Sequence, residues 1–190
     1  QRNAHTYISA YKLIEFPSSW LSLLRTHCEA AGVVFMCTGY LVKDLDVIAA
    51  DVSCFKVASF ESQSEHFLEA HLRFDKPMIV STGMADPGML RRLRGFRTRF
   101  RPDFVRLLHC ISAYPAPIAD CGFDGAFDGL SDHSGTIWPG LDAIYHGAKF
   151  LEVHFKIPGA DMGNDELVCL SVEQLKLLCD ARDAYARMHP

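Results

Sequence analysis

No apolar run in this sequence approaches the roughly 18 residues needed to span a bilayer, and its first residues, Gln1–Tyr7, carry no signal-peptide core. A membrane partner or a secreted precursor is therefore not expected. CxxC pairs are also missing: the seven cysteines (Cys28, Cys37, Cys54, Cys110, Cys121, Cys169 and Cys179) are odd in number and scattered. That reads as reduced thiols in a cytoplasmic protein, not as a disulfide framework or a zinc ribbon. Positive charge is not in excess either. A net charge of −4 and a pI near 6.1 give no general cationic field, so nucleic acid is not expected as a partner and any anion must be held locally. Without a Walker motif or a GxGxxG, nucleotide binding has no support. No repeat, low-complexity tract or Pro/Gly/Ser-rich linker marks a boundary, so residues 1–190 read as a single domain.

What is present is alternation. Short apolar runs, Val33–Cys37, Cys54–Ala58, Pro77–Ser81, Phe104–His109, Phe127–Ser131 and Phe150–His154, are separated by longer amphipathic stretches. The runs are apolar at successive positions, as strands covered on both faces must be, so the pattern predicts an α/β fold of about six β-α units around a parallel sheet. Helices are expected over Ser19–Ala31, closed by Gly32, Lys43–Ala50, Ser64–His71, Pro87–Phe96 and Pro139–His146, closed by Gly147. A last helix starts at Ser171, where SVEQ offers a capping box through Gln174. Between Tyr114 and Phe127 the chain is rich in Pro, Gly and Asp, and no helix is expected there.

In a parallel barrel the reactive groups collect at the carboxyl ends of the strands, and here those ends are polar in all six cases. Lys56, Ser59, Ser81 and Ser131 offer one cation and three hydroxyls from three strand ends. This is what a phosphate group requires in the absence of a long glycine-rich loop. His133 and His154 lie one β-α unit apart, so their imidazoles can converge on one ion. Two neutral imidazoles leave coordination positions for water, substrate and carboxylate oxygens, which suits an open site for Mn²⁺ or a similar divalent ion such as Mg²⁺ or Co²⁺. Glu152, two residues before His154, points to the same face and can orient a ligand or handle protons.

These strand ends resemble those of the N-acetylneuraminate (sialic acid) synthase family, whose barrel carries motifs close to KVAS-x-E (Lys56–Glu61), STGM (Ser81–Met84), LLHC-x-x-x-YP (Leu107–Pro115), SDH (Ser131–His133) and E-x-HF (Glu152–Phe155) in this order. The likeness runs from Leu13 to the last helix. It implies a TIM-type (β/α)8 barrel, present here as its third to eighth strands, and an enzyme that condenses phosphoenolpyruvate with N-acetylmannosamine or a related amino-sugar aldehyde, releasing phosphate. By the same resemblance Lys56, Ser59, Ser81 and Ser131 hold phosphoenolpyruvate, and His133 and His154 hold the metal. Glu61 and Glu152 are acids lining the site, and Thr38, Ser112 and Tyr114 contact the sugar. PGAD, ending at Asp161, imitates a family PGPD, whereas counting back from the last helix selects Asp165; Asp165 is taken as the third acid, with Asp161 its rival.

The resemblance also implies what is not matched: two first strands bearing a glutamate and a lysine, for which nothing before Thr6 serves, and a carboxy-terminal antifreeze-like domain that reaches across a homodimer. Phe60 stands where the family usually has glycine, which would crowd or retune the sugar pocket. A non-catalytic barrel remnant that binds a sugar phosphate or acts as a scaffold is the competing reading. A Schiff-base aldolase would need its lysine in an apolar strand interior, and Lys56 has Ser59 and Glu61 as neighbours instead.

Overall fold

A computed structural model describes residues 16–101 and 103–190 of the chain. Leu13, Thr6 and Gln1–Tyr7, on which some of the expectations above rest, lie outside the described residues. Among the described residues there are seven parallel strands, the first six on the apolar runs: β1 (Met36–Thr38), β2 (Cys54–Val57), β3 (Met78–Ser81), β4 (Val105–Cys110), β5 (Gly129–Asp132), β6 (Phe150–Phe155) and β7 (Cys169–Leu170). They lie in the sheet in chain order, each parallel to the next. The helices are α1 (Leu21–Ala30), α2 (Val42–Ile48), α3 (Glu65–Leu72), α4 (Pro87–Arg97), α5 (Trp138–Tyr145) and α6 (Val172–Met188).

Two elements depart from the sequence pattern. β1 begins at Met36, not Val33, because the Val33 N–H donates to the Cys28 carbonyl at 2.9 Å and so completes the end of α1. β7 is a seventh strand that the pattern does not contain; two residues carry no period, and only pairing with His154 and Phe155 makes them a strand. The segment expected to lack a helix has only a single 3-10 turn at Ile118–Asp120. The last helix starts as expected: the Gln174 N–H donates to Ser171 Oγ at 3.2 Å and the Ser171 N–H donates to Gln174 Oε1 at 2.8 Å. Asp86 caps α4 through the Met89 N–H, ahead of a proline at the first helical position.

Alternation along the strands sorts the side chains into two faces. Phe55, Val57, Met78, Val80, Val105 and Leu107 face outward and pack under Leu45 and Ile48 of α2, Leu68 of α3, and Leu93 and Phe96 of α4. A second, smaller cluster around Leu130 and Ala143, and a third around Ile144, Leu170 and Leu178, fasten α5 and α6 to the later strands. The opposite face carries Lys56, Ser81, Cys110, Ser131, Glu152 and His154, with Cys110, Ser131 and Glu152 in one register row. In a flat sheet β2 and β6 would stand about 19 Å apart at the usual interstrand spacing. Here Lys56 Nζ lies 3.6 Å from Glu152 Oε2. The sheet is therefore strongly curled, an open and incomplete (β/α)8-type barrel whose concave face gathers the polar strand ends.

Candidate active site

The concave face holds a continuous polar cluster built from five strands. Lys56, on β2, donates from Nζ to Ser81 Oγ on β3 at 2.9 Å and to the Val57 carbonyl at 3.0 Å. Its other neighbour is Glu152 on β6, whose second oxygen, Oε1, accepts from Ser131 Oγ on β5 at 2.8 Å. Ser59, just past β2, accepts the Gly83 N–H at 3.1 Å and donates to Cys110 Sγ on β4 at 3.5 Å. Gly83 is required for this approach. A Cβ there would come within 2.5 Å of Ser112 Oγ and 2.9 Å of the Cys110 carbonyl, so any side chain would push the two strand ends apart.

The imidazoles adjoin this cluster. His133, following β5, has its Nδ1 3.8 Å from Cys110 Sγ, and its ring centroid lies 5.1 Å from that of His154 on β6. Burial pushes the His133 imidazole down from its ordinary pKa, His154 and Lys56 push the same way, and Glu152 opposes them. Burial thus favours the neutral form of the ring, the form in which an imidazole can ligate a metal ion. Asp165 Oδ2 sits 3.7 Å from His154 Nδ1, whereas Asp161 is occupied locally, accepting the Gly163 N–H at 2.9 Å. Tyr114 covers both rings, with centroids 4.5 Å from His133 and 6.0 Å from His154. Its loop is pinned where the Ala116 N–H donates to the His133 carbonyl at 2.9 Å. Partial burial, with Cys110, Asp165, Glu152 and Tyr40 adding negative potential, pushes the Tyr114 phenol up to about 12, so it stays protonated.

The structure brings together Lys56, Ser59, Ser81, Ser131, Glu152, His133, His154, Tyr114 and Asp165, with Ser112 beside Gly83. It does not tie in Glu61, which opens a 3-10 turn after β2 without a side-chain bond to the cluster, or Thr38, which stands opposite Lys56 in register only. Phe60 is largely exposed, at 68%. Cys110, which the sequence pattern does not assign to the site, sits between the hydroxyl half and the imidazole half. Its place two residues after Leu108 on an alternating strand was the available signal.

Two imidazoles held side by side, one shifted by burial toward its neutral form, suit a divalent ion that completes its shell with water or substrate oxygens. Among the described residues no group of three or more His, Cys, Asp or Glu side chains is placed to hold a metal ion unaided. No helix among them is long and apolar enough to cross a membrane.

The model of the NeuB family matches residues 1–189. The chain is 29% identical over 182 residues to the pseudaminic acid synthase of Campylobacter jejuni, covering 90% of this chain and 53% of that protein. It is 29% identical over 195 residues to the N,N'-diacetyllegionaminic acid synthase of Legionella pneumophila, covering 94% and 54%. The chain thus spans about half the length of these curated relatives. The crystal structure of N-acetylneuraminic acid (sialic acid) synthetase from Leptospira borgpetersenii superposes with a TM-score of 0.77 at 24% identity, over 92% of this chain and 64% of that one, a likeness of fold.

Proposed function

Because this chain belongs to the NeuB family, we propose that the protein carrying it is a nonulosonic (sialic-type) acid synthase, which joins phosphoenolpyruvate to N-acetylmannosamine or a related amino-sugar aldehyde and releases phosphate. The observation that carries this reading is the gathering on one concave face of Lys56, Ser81, Glu152 and Ser131, joined by hydrogen bonds and an ion pair, with the paired imidazoles of His133 and His154, which Cys110 links to Ser59. An anion-holding end and an ion-holding end then share one concave face, as a reaction between a phosphate ester and an aldehyde requires.

In this reading Lys56, Ser59, Ser81 and Ser131 hold phosphoenolpyruvate by its phosphate, fixing its methylene carbon toward the aldehyde. That carbon adds to the aldehyde carbon, water attacks the resulting oxocarbenium carbon, and phosphate leaves by cleavage of its C–O bond. His133 and His154 would hold a divalent ion, Mn²⁺ first, which when bound polarises the aldehyde oxygen. Asp165 orients His154 from behind. Tyr114, protonated throughout the working pH range, donates a hydrogen bond to the sugar, with Ser112 and Thr38 beside it. Glu61 is assigned to the sugar side and Glu152 to the boundary between the two substrates. The protein is assigned to the cytoplasm, consistent with seven free thiols, and acts as a homodimer. Relatives equally similar to the chain bear the names of different sugar acids, so the aldehyde is defined as a class.

The test is phosphate release from phosphoenolpyruvate with Mn²⁺ and a panel of amino-sugar aldehydes, run on the 190-residue chain and on an extended reading frame. Turnover by the extended protein with at least one aldehyde is expected, and its absence with all of them overturns the proposal. The described sheet does not close on itself, since β1 and β7 each pair on one side only. That favours a silent 190-residue chain, and a binding remnant as the second reading. Equal turnover by the short chain would show that this account of the site is wrong.

A further inference from the structure

The proposed phosphate pocket already contains an anion of its own. The Glu152 carboxylate takes the Ser131 hydroxyl on Oε1 at 2.8 Å and faces the Lys56 ammonium from Oε2 at 3.6 Å. Two of the four groups assigned to phosphate are therefore engaged by one side chain. Ser81 is drawn in as well, because its hydroxyl accepts from the same ammonium at 2.9 Å. The carboxylate is tethered to β6 in the register row of Ser131 and Cys110, so it occupies this position without loss of translational freedom. Its side chain is 40% exposed, against 13% for Lys56, and the longer of its two contacts is to the cation. This is the geometry of a displaceable internal ligand.

We propose that Glu152 is an internal competitor for the phosphate subsite and sets its anion selectivity. The inference rests on the pocket reading above and goes beyond it. An incoming anion must supply more favourable interaction with Lys56 and Ser131 than the resident carboxylate does, and must break the Ser131–Glu152 bond on entry. A monoanionic carboxylate offers the same charge and two oxygens that Glu152 already provides, so it gains nothing by exchange. A phosphate brings a further negative charge and a third acceptor oxygen, enough to engage Lys56, Ser81 and Ser131 together. The internal carboxylate thus excludes the abundant small carboxylates from a pocket that must take a phosphate ester.

The experiment is calorimetric titration of the full-length protein, without aldehyde, using inorganic phosphate and acetate as separate probes. Wild type is expected to bind phosphate and to show no saturable acetate binding. Glu152→Gln keeps the size and the acceptor of the side chain but removes its charge. It is expected to bind phosphate at least about tenfold more tightly, and to acquire acetate binding. Glu152→Ala, which removes both charge and contact, should do the same. Unchanged or weaker phosphate affinity in both variants, with melting temperatures like wild type, overturns the proposal. Lys56→Ala separates this failure from failure of the pocket reading. Loss of phosphate binding in Lys56→Ala with no gain in the Glu152 variants sinks only the competitor role, whereas unchanged binding in Lys56→Ala sinks the pocket itself.

Discussion

The two ends of the parallel sheet use the same kinds of residue for opposite purposes. At the amino end Asp128 accepts from Arg97 Nη1 and Arg106 Nη1, both at 2.8 Å, and from the Leu107 N–H at 2.9 Å. Its acceptor capacity is consumed by donors that the fold itself holds in place, and it is 8% exposed. At the carboxyl end Lys56 and Glu152 meet at a looser 3.6 Å, Ser131 has one partner, and the neighbouring imidazole and phenol are both displaced toward their neutral forms. The first arrangement is a strut between α4, β4 and β5. The second leaves charge and hydrogen-bonding capacity facing a concavity, and that surplus is what a ligand can use. Cavity size alone would mislead: a hollow of about 260 Å³ lies at the amino end, beside Arg97 and Asp128, whose charges are already spent on each other.

If this contrast is right, removing groups from one end should cost function and from the other stability. The largest effect expected is from His133→Ala combined with His154→Ala in the full-length protein: loss of Mn²⁺ binding and a fall in turnover on the order of 10²–10³ or more, with the fold retained. Unchanged metal affinity in the double variant would remove the imidazole pair from the site. Next is Asp128→Ala, which takes the buried carboxylate from a half-exposed Arg97 and from Arg106, which keeps Asp103, and should cost about 1–3 kcal/mol in urea denaturation. A loss below about 1 kcal/mol would show that the amino-end cluster is not a strut, and the contrast would collapse. Lys56→Ala should raise the phosphoenolpyruvate KM by about 10- to 100-fold, the value of a charge-assisted hydrogen bond, while the KM for the aldehyde changes little. Equal losses for both substrates would point to general collapse of the carboxyl end.

The smallest effect guards against a misreading of displaced titration. His71, on α3, is wholly buried between Phe55 and Phe67, donates from Nδ1 to the Phe67 carbonyl at 2.8 Å, and has no partner at Nε2. Burial pushes its pKa below the ordinary value, in a place packed on Phe55, on the outward face of the sheet. The unfolded chain, whose histidines titrate at about 6.5, therefore binds more protons than the folded one below that pH, so stability is full above it and declines as pH falls toward the folded value. Thermal melts between neutral and mildly acidic pH should show this decline, and His71→Leu should flatten it. An unaltered slope in the variant would assign the decline to other groups.

Much of this was legible in the residues. The apolar runs located six of the strands because a parallel strand covered on both faces must be apolar at successive positions, and that demand is local. The polar residues closing those runs identified the carboxyl ends, and with them Lys56, Ser81, Ser131, His133 and His154, because chain direction determines which end of a parallel strand is which. Other features needed the folded molecule. Whether Asp161 or Asp165 stands beside His154 depends on how the 3-10 segment after β6 returns to the sheet, and β7 exists only through its pairing with β6. The joining of Cys110 to His133, and the hold of Glu152 on Lys56 across the sheet, follow from its curl. Residues on β2 and β6 are about a hundred positions apart in the chain, and no local pattern encodes a distance that the summed twist and closure of five strands alone produces.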